Sequence, residues 1–236
     1  MVQVYVTRIG EGVQEKEYAA LYEMASDYRK QKADRLKKQP DKLRSLTAGA
    51  LLNYGLRQYY FDFLAGENPK EESQDAEPVS EQRKAELKRV LENGEANVSL
   101  GPMGKPYIEG ISFNLSHAGI YVAAAIGRES VGIDVEGGRA VSERIAARCH
   151  PQEIRWYESG NQDKFYRLWT AKESVMKRDG RGIAMGIDSF SVFSEELKDE
   201  IYSLPLDEDY WLSLCTGEEW DEKIYWIEMK ELLGVK

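Results

Sequence analysis

Few cysteines, few histidines and a deficit of positive charge set the first limits on this chain. Its 236 residues include two cysteines and two histidines, too few for a disulfide framework or a histidine-rich zinc site. Cys149 and Cys215 lie far apart and form no CxxC motif, so we expect reduced thiols and a cytoplasmic protein. The net charge of −9 argues against a nucleic-acid partner. No run approaches the roughly 20 apolar residues of a membrane span, so no membrane partner is expected.

The residue patterns predict a mixture of helices and strands. A length of 236 residues with 42% hydrophobic and 31% charged residues suits one large domain or two modest lobes. Alternation and apolar runs predict strands over 2–9, 112–116, 120–126, 131–136, 189–193, 211–215 and 224–228. Helical spacing predicts helices over 15–28, 41–64 with Asp41 as the cap, 80–93, 140–158 with a break at Pro151, and 165–177. The acidic insertion near 66–92 is expected to decorate the surface.

The segment 165–177 contains no glycine or proline and has two distinct faces as a helix. Leu168, Ala171 and Val175 form an apolar stripe for packing. A second face, at i, i+4 and i+8, carries Trp169, Glu173 and Lys177. We expect Trp169 in the core. The carboxylate and the ammonium either make an ordinary solvated surface pair or belong to a site.

Two carboxylates share one face of the strand predicted over 131–136. Asp134 and Glu136 are two residues apart, beside Gly132, and repel each other unless a positive group lies between them. One interpretation is a solvated sheet face. The other is a site for a hard cation such as Mg²⁺, which prefers carboxylate oxygens and substrate phosphates, with Glu173 as a third ligand.

Basic residues concentrate between positions 29 and 44 of an otherwise acidic chain. This cluster is either a solvated helix end or a socket for an anion. His117 follows a predicted strand and is expected in a turn, where it either makes local hydrogen bonds or contacts phosphate. Glu153, in the preceding helix, is a further candidate to support a cleft.

Four motifs in one order resemble the Sfp-type 4′-phosphopantetheinyl transferases. They are Gly104-Lys-Pro106, Phe113-Asn-Leu-Ser-His-Ala-Gly119, Val131-Gly-Ile-Asp-Val-Glu136 and Leu168-Trp-Thr-Ala-Lys-Glu-Ser-Val-Met-Lys177. With looser similarity upstream, the resemblance covers about residues 29–193. The acidic insertion is longer than usual for the family.

The resemblance implies both a fold and a reaction. The implied fold is α+β, with two similar α/β lobes related by pseudo-twofold symmetry: residues 1–126, and residues 127–236 carrying the metal site. The implied reaction transfers the 4′-phosphopantetheine arm of coenzyme A to a serine of an apo acyl or peptidyl carrier protein. It depends on Mg²⁺, with Mn²⁺ as the alternative, and releases adenosine 3′,5′-bisphosphate. A monomer is expected, because both lobes come from one chain.

The resemblance also assigns site residues by position. Asp134, Glu136 and Glu173 would hold the metal, and Glu173, Lys177 and His117 would be catalytic, with Lys177 and His117 contacting phosphates. The polar socket around the coenzyme A phosphates and adenine would be formed by Arg29, Lys32, Arg44, Ser45, Lys105 and Ser116, together with His117 and Lys177.

Three questions stay open at the level of sequence. The base that deprotonates the carrier serine is either Glu173 or a metal-bound water. The carrier could belong to fatty-acid, polyketide or non-ribosomal peptide synthesis. Two rival functions are a non-catalytic coenzyme A or carrier-binding module of the same fold and a Mg²⁺-dependent phosphohydrolase.

Overall fold

Two β-sheets, a short β-ribbon and the helices that cover them form this protein. The computed structural model describes residues 1–10, 15–65, 85, 88, 94–138 and 142–234, with only the backbone described for 60–65. The helices are α1 (Glu15–Met24), α2 (Asp27–Asp34), α3 (Gln39–Ala65), α4 (Glu143–Ala146), α5 (Pro151–Trp156), α6 (Gln162–Asp179) and α7 (Met229–Leu232). The strands are β1 (Gln3–Arg8), β2 (Ser99–Leu100), β3 (Pro106–Tyr107), β4 (Ser112–Ala118), β5 (Tyr121–Gly127), β6 (Val131–Gly137), β7 (Ile201–Pro205), β8 (Tyr210–Thr216) and β9 (Ile224–Trp226). The predicted α+β class is confirmed.

The larger sheet has the order β4-β5-β1-β9, and the smaller one the order β6-β8-β7. All neighbouring strands are antiparallel except β1 and β9, which are parallel. Strand β9, which comes last in the sequence, thus lies at the edge of the sheet that contains the first strand, β1. The predicted boundary between 126 and 127 and the pseudo-twofold symmetry stay predictions.

The alternation in β1 and β6 decides what each strand face covers. Val4 and Val6 of β1 pack with Ile133 and Val135 of β6 in a cluster between the two sheets. Tyr5, on the opposite face of β1, belongs to the cluster formed with α3. Because side chains alternate along a strand, Asp134 and Glu136 of β6 lie on the face opposite the apolar cluster between the two sheets, where α6 packs.

Polar side chains of β4 connect the two sheets. Ser112, Asn114 and Ser116 accept hydrogen bonds from the backbone N–H groups of Val131, Ile133 and Val135, at 3.3, 3.0 and 3.2 Å. The constant offset of 19 residues gives a ladder in which side chains of one strand satisfy the backbone of the other. This ladder fixes β4 against β6, the two strands that carry the most candidate site residues.

Several predicted boundaries were wrong, including those of the first helix, of α3 and of β4. The first helix ends at Met24 instead of continuing to 28, because Ser26 caps a new helix by accepting from the N–H of Arg29. Helix α3 begins at Gln39, so Asp41 lies inside the first turn instead of capping it. His117 belongs to β4 and not to a turn, since the strand continues to Ala118.

The strand predicted over 189–193 was also wrong. The alternation of Ser189-Phe-Ser-Val-Phe193 suits a strand, but side chains occupy its backbone groups. The N–H of Val192 donates to Glu153, and the carbonyl of Phe190 accepts from Lys172. The strand β7 over Ile201–Pro205 was not predicted.

Some predictions fall on parts of the chain that the structure does not describe. The acidic insertion near 66–92 and the helix predicted over 80–93 lie outside the described residues, apart from positions 85 and 88. In the described remainder of the chain, no helix combines the length and the apolar character that crossing a bilayer requires.

Candidate active site

A cavity of about 530 Å³ lies where β4, β6 and α6 meet. Most of the polar residues that the sequence selected for the site line it together: Ser116, His117, Asp134, Glu136, Glu173 and Lys177. They come from three elements that are distant in sequence. Close packing of α6 on β6 brings them together.

A glycine in β6 allows α6 to approach closely. A Cβ atom placed on Gly132 would lie 2.0 Å from the carbonyl oxygen of Ser174, so a side chain at this position would force the helix away. The two ends of α6 are well defined: Asn161 caps it by accepting from the N–H of Lys164, and Gly180 ends it with a φ of 91°. The ends of α6 are thereby fixed, and Gly132 permits its close approach to β6.

The two predicted faces of α6 are confirmed. Leu168, Ala171 and Val175 are buried, and the other face lines the cavity with Trp169, Glu173 and Lys177. The prediction that Trp169 belongs to the core needs refinement. Its half-buried ring forms part of the cavity wall and stacks on Phe165, with ring centroids 6.5 Å apart.

Lys177 pairs with Asp134 across the floor of the cavity. Its Nζ lies 2.6 Å from Asp134 Oδ1, 2.9 Å from Ser116 Oγ and 3.1 Å from the carbonyl oxygen of Ile133. Ser116 donates to the same Oδ1 at 2.8 Å. Ser116 therefore orients Asp134 and Lys177 in addition to binding β6.

The second carboxylate oxygen of Asp134 is buried and has no hydrogen-bond partner. Glu136 and Glu173 line the same cavity. Desolvation by burial, together with the nearby carboxylates of Asp134 and Glu136 and against the opposing effect of Lys177, raises the pKa of Glu173 to about 7. A buried unpartnered oxygen beside two more carboxylates fits a hard divalent cation. Among the described residues, though, no three carboxylate, imidazole or thiol groups form a ready-made metal cluster.

His117 lies at the junction of two cavities. It lines the main one and also a smaller cavity of about 140 Å³ beside α2. Desolvation, with nearby Arg44 and Lys177, lowers the pKa of His117 to about 4. The imidazole is therefore neutral near pH 7, and it can donate one hydrogen bond and accept another.

The structure does not leave Arg29 free for an anion, although the sequence placed it in the phosphate socket. Its guanidinium is buried, and both Nε and Nη2 donate to Oε1 of Glu95, with the Nε contact at 2.7 Å. Ser45 is buried behind it, with Oγ 3.5 Å from Nη1. Glu95 was missed, because no local pattern links residues separated by 66 positions.

Lys32 of α2 lines the smaller cavity, whereas Arg44 of α3 lines neither of the two cavities. Lys32 lines the smaller cavity with His117, and desolvation and Arg29 lower its pKa. Arg44 donates to the carbonyl oxygen of Gly119 at 2.9 Å and pairs with Asp41. Lys32 is thus an exposed socket cation that lines the same cavity as His117.

Lys105 has a different position from the other predicted socket residues. Its Nζ donates to the carbonyl oxygen of Arg178 at 2.9 Å and lies 3.4 Å from Ser130 Oγ. These contacts place its charge at the C-terminal end of α6, where a cation is stabilising. Neither of the two cavities described above is lined by Lys105.

A buried ion pair supports α6 from behind. Lys172 is fully buried and donates to both carboxylate oxygens of Glu153, at 2.8 and 2.7 Å. Glu153 also accepts from the backbone of His150 and Val192. The expectation that Glu153 supports the cleft thus gains a structural basis. Lys172, which neighbours Glu173 in sequence, points away from the cavity and into this pair.

Comparisons with known proteins agree with the motifs. A profile of the 4′-phosphopantetheinyl transferase superfamily matches residues 130–219, the part that holds β6 and α6. The 4′-phosphopantetheinyl transferase Sfp of Bacillus subtilis (strain 168) is 31% identical over 164 residues, which cover 61% of this chain and 73% of that relative. A 4′-phosphopantetheinyl transferase of Bacillus subtilis is 34% identical over 144 residues, or 52% and 64% of the two chains. The Bacillus subtilis protein named 4′-phosphopantetheinyl transferase ffp is 29% identical over 164 residues, or 61% and 73%.

Proposed function

Because this chain belongs to the 4′-phosphopantetheinyl transferase superfamily and is an Sfp-type enzyme, we propose a specific reaction for the cavity between β4, β6 and α6. The enzyme transfers the 4′-phosphopantetheine arm of coenzyme A to a serine of an apo acyl or peptidyl carrier protein. The reaction requires a divalent cation, Mg²⁺ or Mn²⁺, and releases adenosine 3′,5′-bisphosphate. A carrier serine, rather than water, is the acceptor.

One observation carries the proposal: three carboxylates and one ammonium line a single cavity, and one buried carboxylate oxygen has no partner. We assign the cation to Asp134, Glu136 and Glu173. When bound there, a divalent cation supplies positive charge for the pyrophosphate of coenzyme A. A non-catalytic binding module would have no need to keep all of these groups together.

The chain's own side chains account for the remaining tasks. We assign contact with the phosphates, and compensation of the charge that develops on the leaving group, to Lys177 and neutral His117. We assign a further phosphate of the nucleotide to Lys32, which lines the smaller cavity. Catalysis of this kind depends mainly on positioning and charge neutralisation.

Glu173 is our candidate for the group that accepts the proton of the carrier serine. Its pKa is raised to about 7 by burial and by its carboxylate neighbours, which is the range that suits a base at neutral pH. A bound cation would lower that pKa, so ligation and proton acceptance compete for the same oxygens.

The proposed enzyme is a cytoplasmic monomer with two lobes, 1–126 and 127–236, related by pseudo-twofold symmetry, and coenzyme A lies between them. The β4–β6 ladder supports a division between two sheets, because the site forms where the sheets join. Both cysteines are buried and unpaired, which is consistent with a reducing compartment.

The proposal is tested by intact-protein mass spectrometry of apo carriers of fatty-acid and peptide type. The enzyme is incubated with coenzyme A and Mg²⁺, with and without a chelator. We expect a chelator-sensitive gain of one phosphopantetheine. Glu173→Ala should abolish the gain, and Glu219→Gln, an exposed glutamate away from the cavity, should retain it.

Two outcomes contradict the proposal. Coenzyme A binding without modification of any carrier would indicate a binding module. Cleavage of coenzyme A without carrier modification would indicate a hydrolase.

A further inference from the structure

Lys177 has no donor left for a phosphate in the present arrangement. An ammonium group has three N–H donors. Its acceptors are already three: Asp134 Oδ1, Ser116 Oγ and the carbonyl oxygen of Ile133, all within 3.1 Å. Contact with a substrate phosphate therefore requires Lys177 to give up at least one of these bonds.

Asp134 is the group that would lose its counter-charge if Lys177 moved away. This residue is only 3% exposed, and its Oδ2 atom has no partner. Lys177 is the ammonium that compensates its charge, with Nζ 2.6 Å from Oδ1. Withdrawal of the Lys177 ammonium from a buried carboxylate is costly unless another positive charge replaces it.

Ser116 cannot replace the ammonium. Its hydroxyl donates to Asp134 and accepts from Lys177 and from the N–H of Val135, so its one donor and two acceptor positions are all in use. It holds Asp134 and Lys177 in place but brings no charge.

We propose that Lys177 is an internal counter-ion of the metal-free site, which a divalent cation displaces from Asp134 so that the ammonium becomes available to the substrate's phosphate. This inference rests on the proposed function. It makes binding of the cation and of the phosphate reciprocal: each favours the state of Lys177 that the other requires.

Charge balance indicates that the divalent cation binds before Lys177 turns to a phosphate. Asp134, Glu136 and Glu173 provide three ionisable carboxyl groups, and Lys177 provides one ammonium. If Lys177 turns to a phosphate before a cation arrives, Asp134 is left buried without a counter-charge. If the cation arrives first, both Asp134 and the phosphate are compensated.

The first test measures Mn²⁺ affinity without coenzyme A, by isothermal titration calorimetry and by electron paramagnetic resonance of free Mn²⁺. Lys177→Met keeps the length of the side chain and removes the competing ammonium. We expect it to bind Mn²⁺ about tenfold more tightly than the wild type, within the range of typical coupling energies. Lys32→Met is the matched control: it also removes one positive charge near the site, but Lys32 makes no contact with Asp134, so the change should stay within about twofold.

The second test is made on the wild type, with Lys177→Arg used only to assign the signal, and so covers the case in which Lys177→Met does not fold. In ¹⁵N-lysine NMR, a hydrogen-bonded Lys177 ammonium should give a slowly exchanging Nζ signal in chelator, assigned with Lys177→Arg. We expect saturation with diamagnetic Mg²⁺ to accelerate its hydrogen exchange and remove the signal. A signal that persists unchanged with Mg²⁺ bound would overturn the proposal.

Different outcomes contradict the transferase function and the counter-ion role of Lys177. A wild type that modifies a carrier, while Lys177→Met and Lys32→Met change Mn²⁺ affinity equally, would overturn the counter-ion role and leave the transferase intact. If the wild type neither modifies carriers nor binds Mn²⁺, and Lys177→Met also fails to bind Mn²⁺, both the transferase function and the counter-ion role are overturned.

Discussion

Replacing Glu173 with glutamine should stabilise the metal-free protein at alkaline pH while abolishing transfer. The carboxyl pKa rises from 4.5 to about 7 on folding, so the ionised form is less favourable in the folded chain than in the unfolded one. The destabilisation is small below pH 4.5, grows as pH rises through the window between these values, and is complete above pH 7. Glu173→Gln removes the charge and with it this pH-dependent penalty.

The size of the effect follows from the shift. Each pKa unit corresponds to about 1.36 kcal/mol, so the rise of the Glu173 pKa from 4.5 to about 7 costs about 3 kcal/mol at pH 8. At pH 5 the same relation gives less than about 1 kcal/mol. For a chain of this size, 1 kcal/mol changes Tm by roughly 2–4 °C. The advantage of the variant at pH 8 should therefore be readily measured.

Urea unfolding in chelator at pH 5, 7 and 8 measures the difference in unfolding free energy between the wild type and Glu173→Gln. Glu219→Gln, at an exposed position, should show no such trend. Saturating Mg²⁺ should stabilise the wild type and have much less effect on Glu173→Gln. A difference between the wild type and Glu173→Gln that is the same at all three pH values would refute the reasoning, because the burial of an ionisable carboxyl would then contribute nothing.

Three further predictions concern the surroundings of the site. Lys172→Met should lower the unfolding free energy by about 3–5 kcal/mol in urea titrations, since it leaves the carboxylate of Glu153 buried without a cation; a loss below about 1 kcal/mol would contradict this. Asn114→Ala should cost about 1–3 kcal/mol and accelerate amide exchange at Ile133, whose N–H would lose its acceptor; unchanged exchange would show that the ladder is dispensable. The NMR titration of His117 should lie well below 6.5, and acidification from 6.5 toward 4 should reduce stability, because the unfolded chain binds that proton first; a midpoint near 6.5 would show that its surroundings do not disfavour the cation.

Local patterns predicted the elements that hold the site. The i, i+4, i+8 spacing in α6 placed Trp169, Glu173 and Lys177 on one face, and they share one cavity. The two-residue spacing of Asp134 and Glu136 placed both on the face of β6 opposite the apolar cluster. Such patterns are reliable because the repeat of a helix or a strand fixes the direction of each side chain.

The same local rules failed where tertiary contacts replaced regular pairing. The segment 189–193 alternates as a strand does, yet Glu153 and Lys172 occupy the backbone groups that a neighbouring strand would need. The predicted helix over 15–28 was divided because the side chain of Ser26 satisfies the backbone of a new helix start. In both cases a side-chain partner decided the backbone conformation.

By itself, the sequence determined the α+β class, the faces of β6 and α6, and the motifs that resemble the transferase family. Only the tertiary structure decided which charges meet: Lys177 with Asp134, Arg29 with Glu95 instead of an open socket, and Lys105 at the end of α6. The reason is the separation in sequence between the residues that determine each feature. Periodicity depends on neighbouring residues, whereas an ion pair depends on distances between elements far apart in sequence. In this protein those distances depend on close packing, such as the approach of α6 to β6 that Gly132 permits.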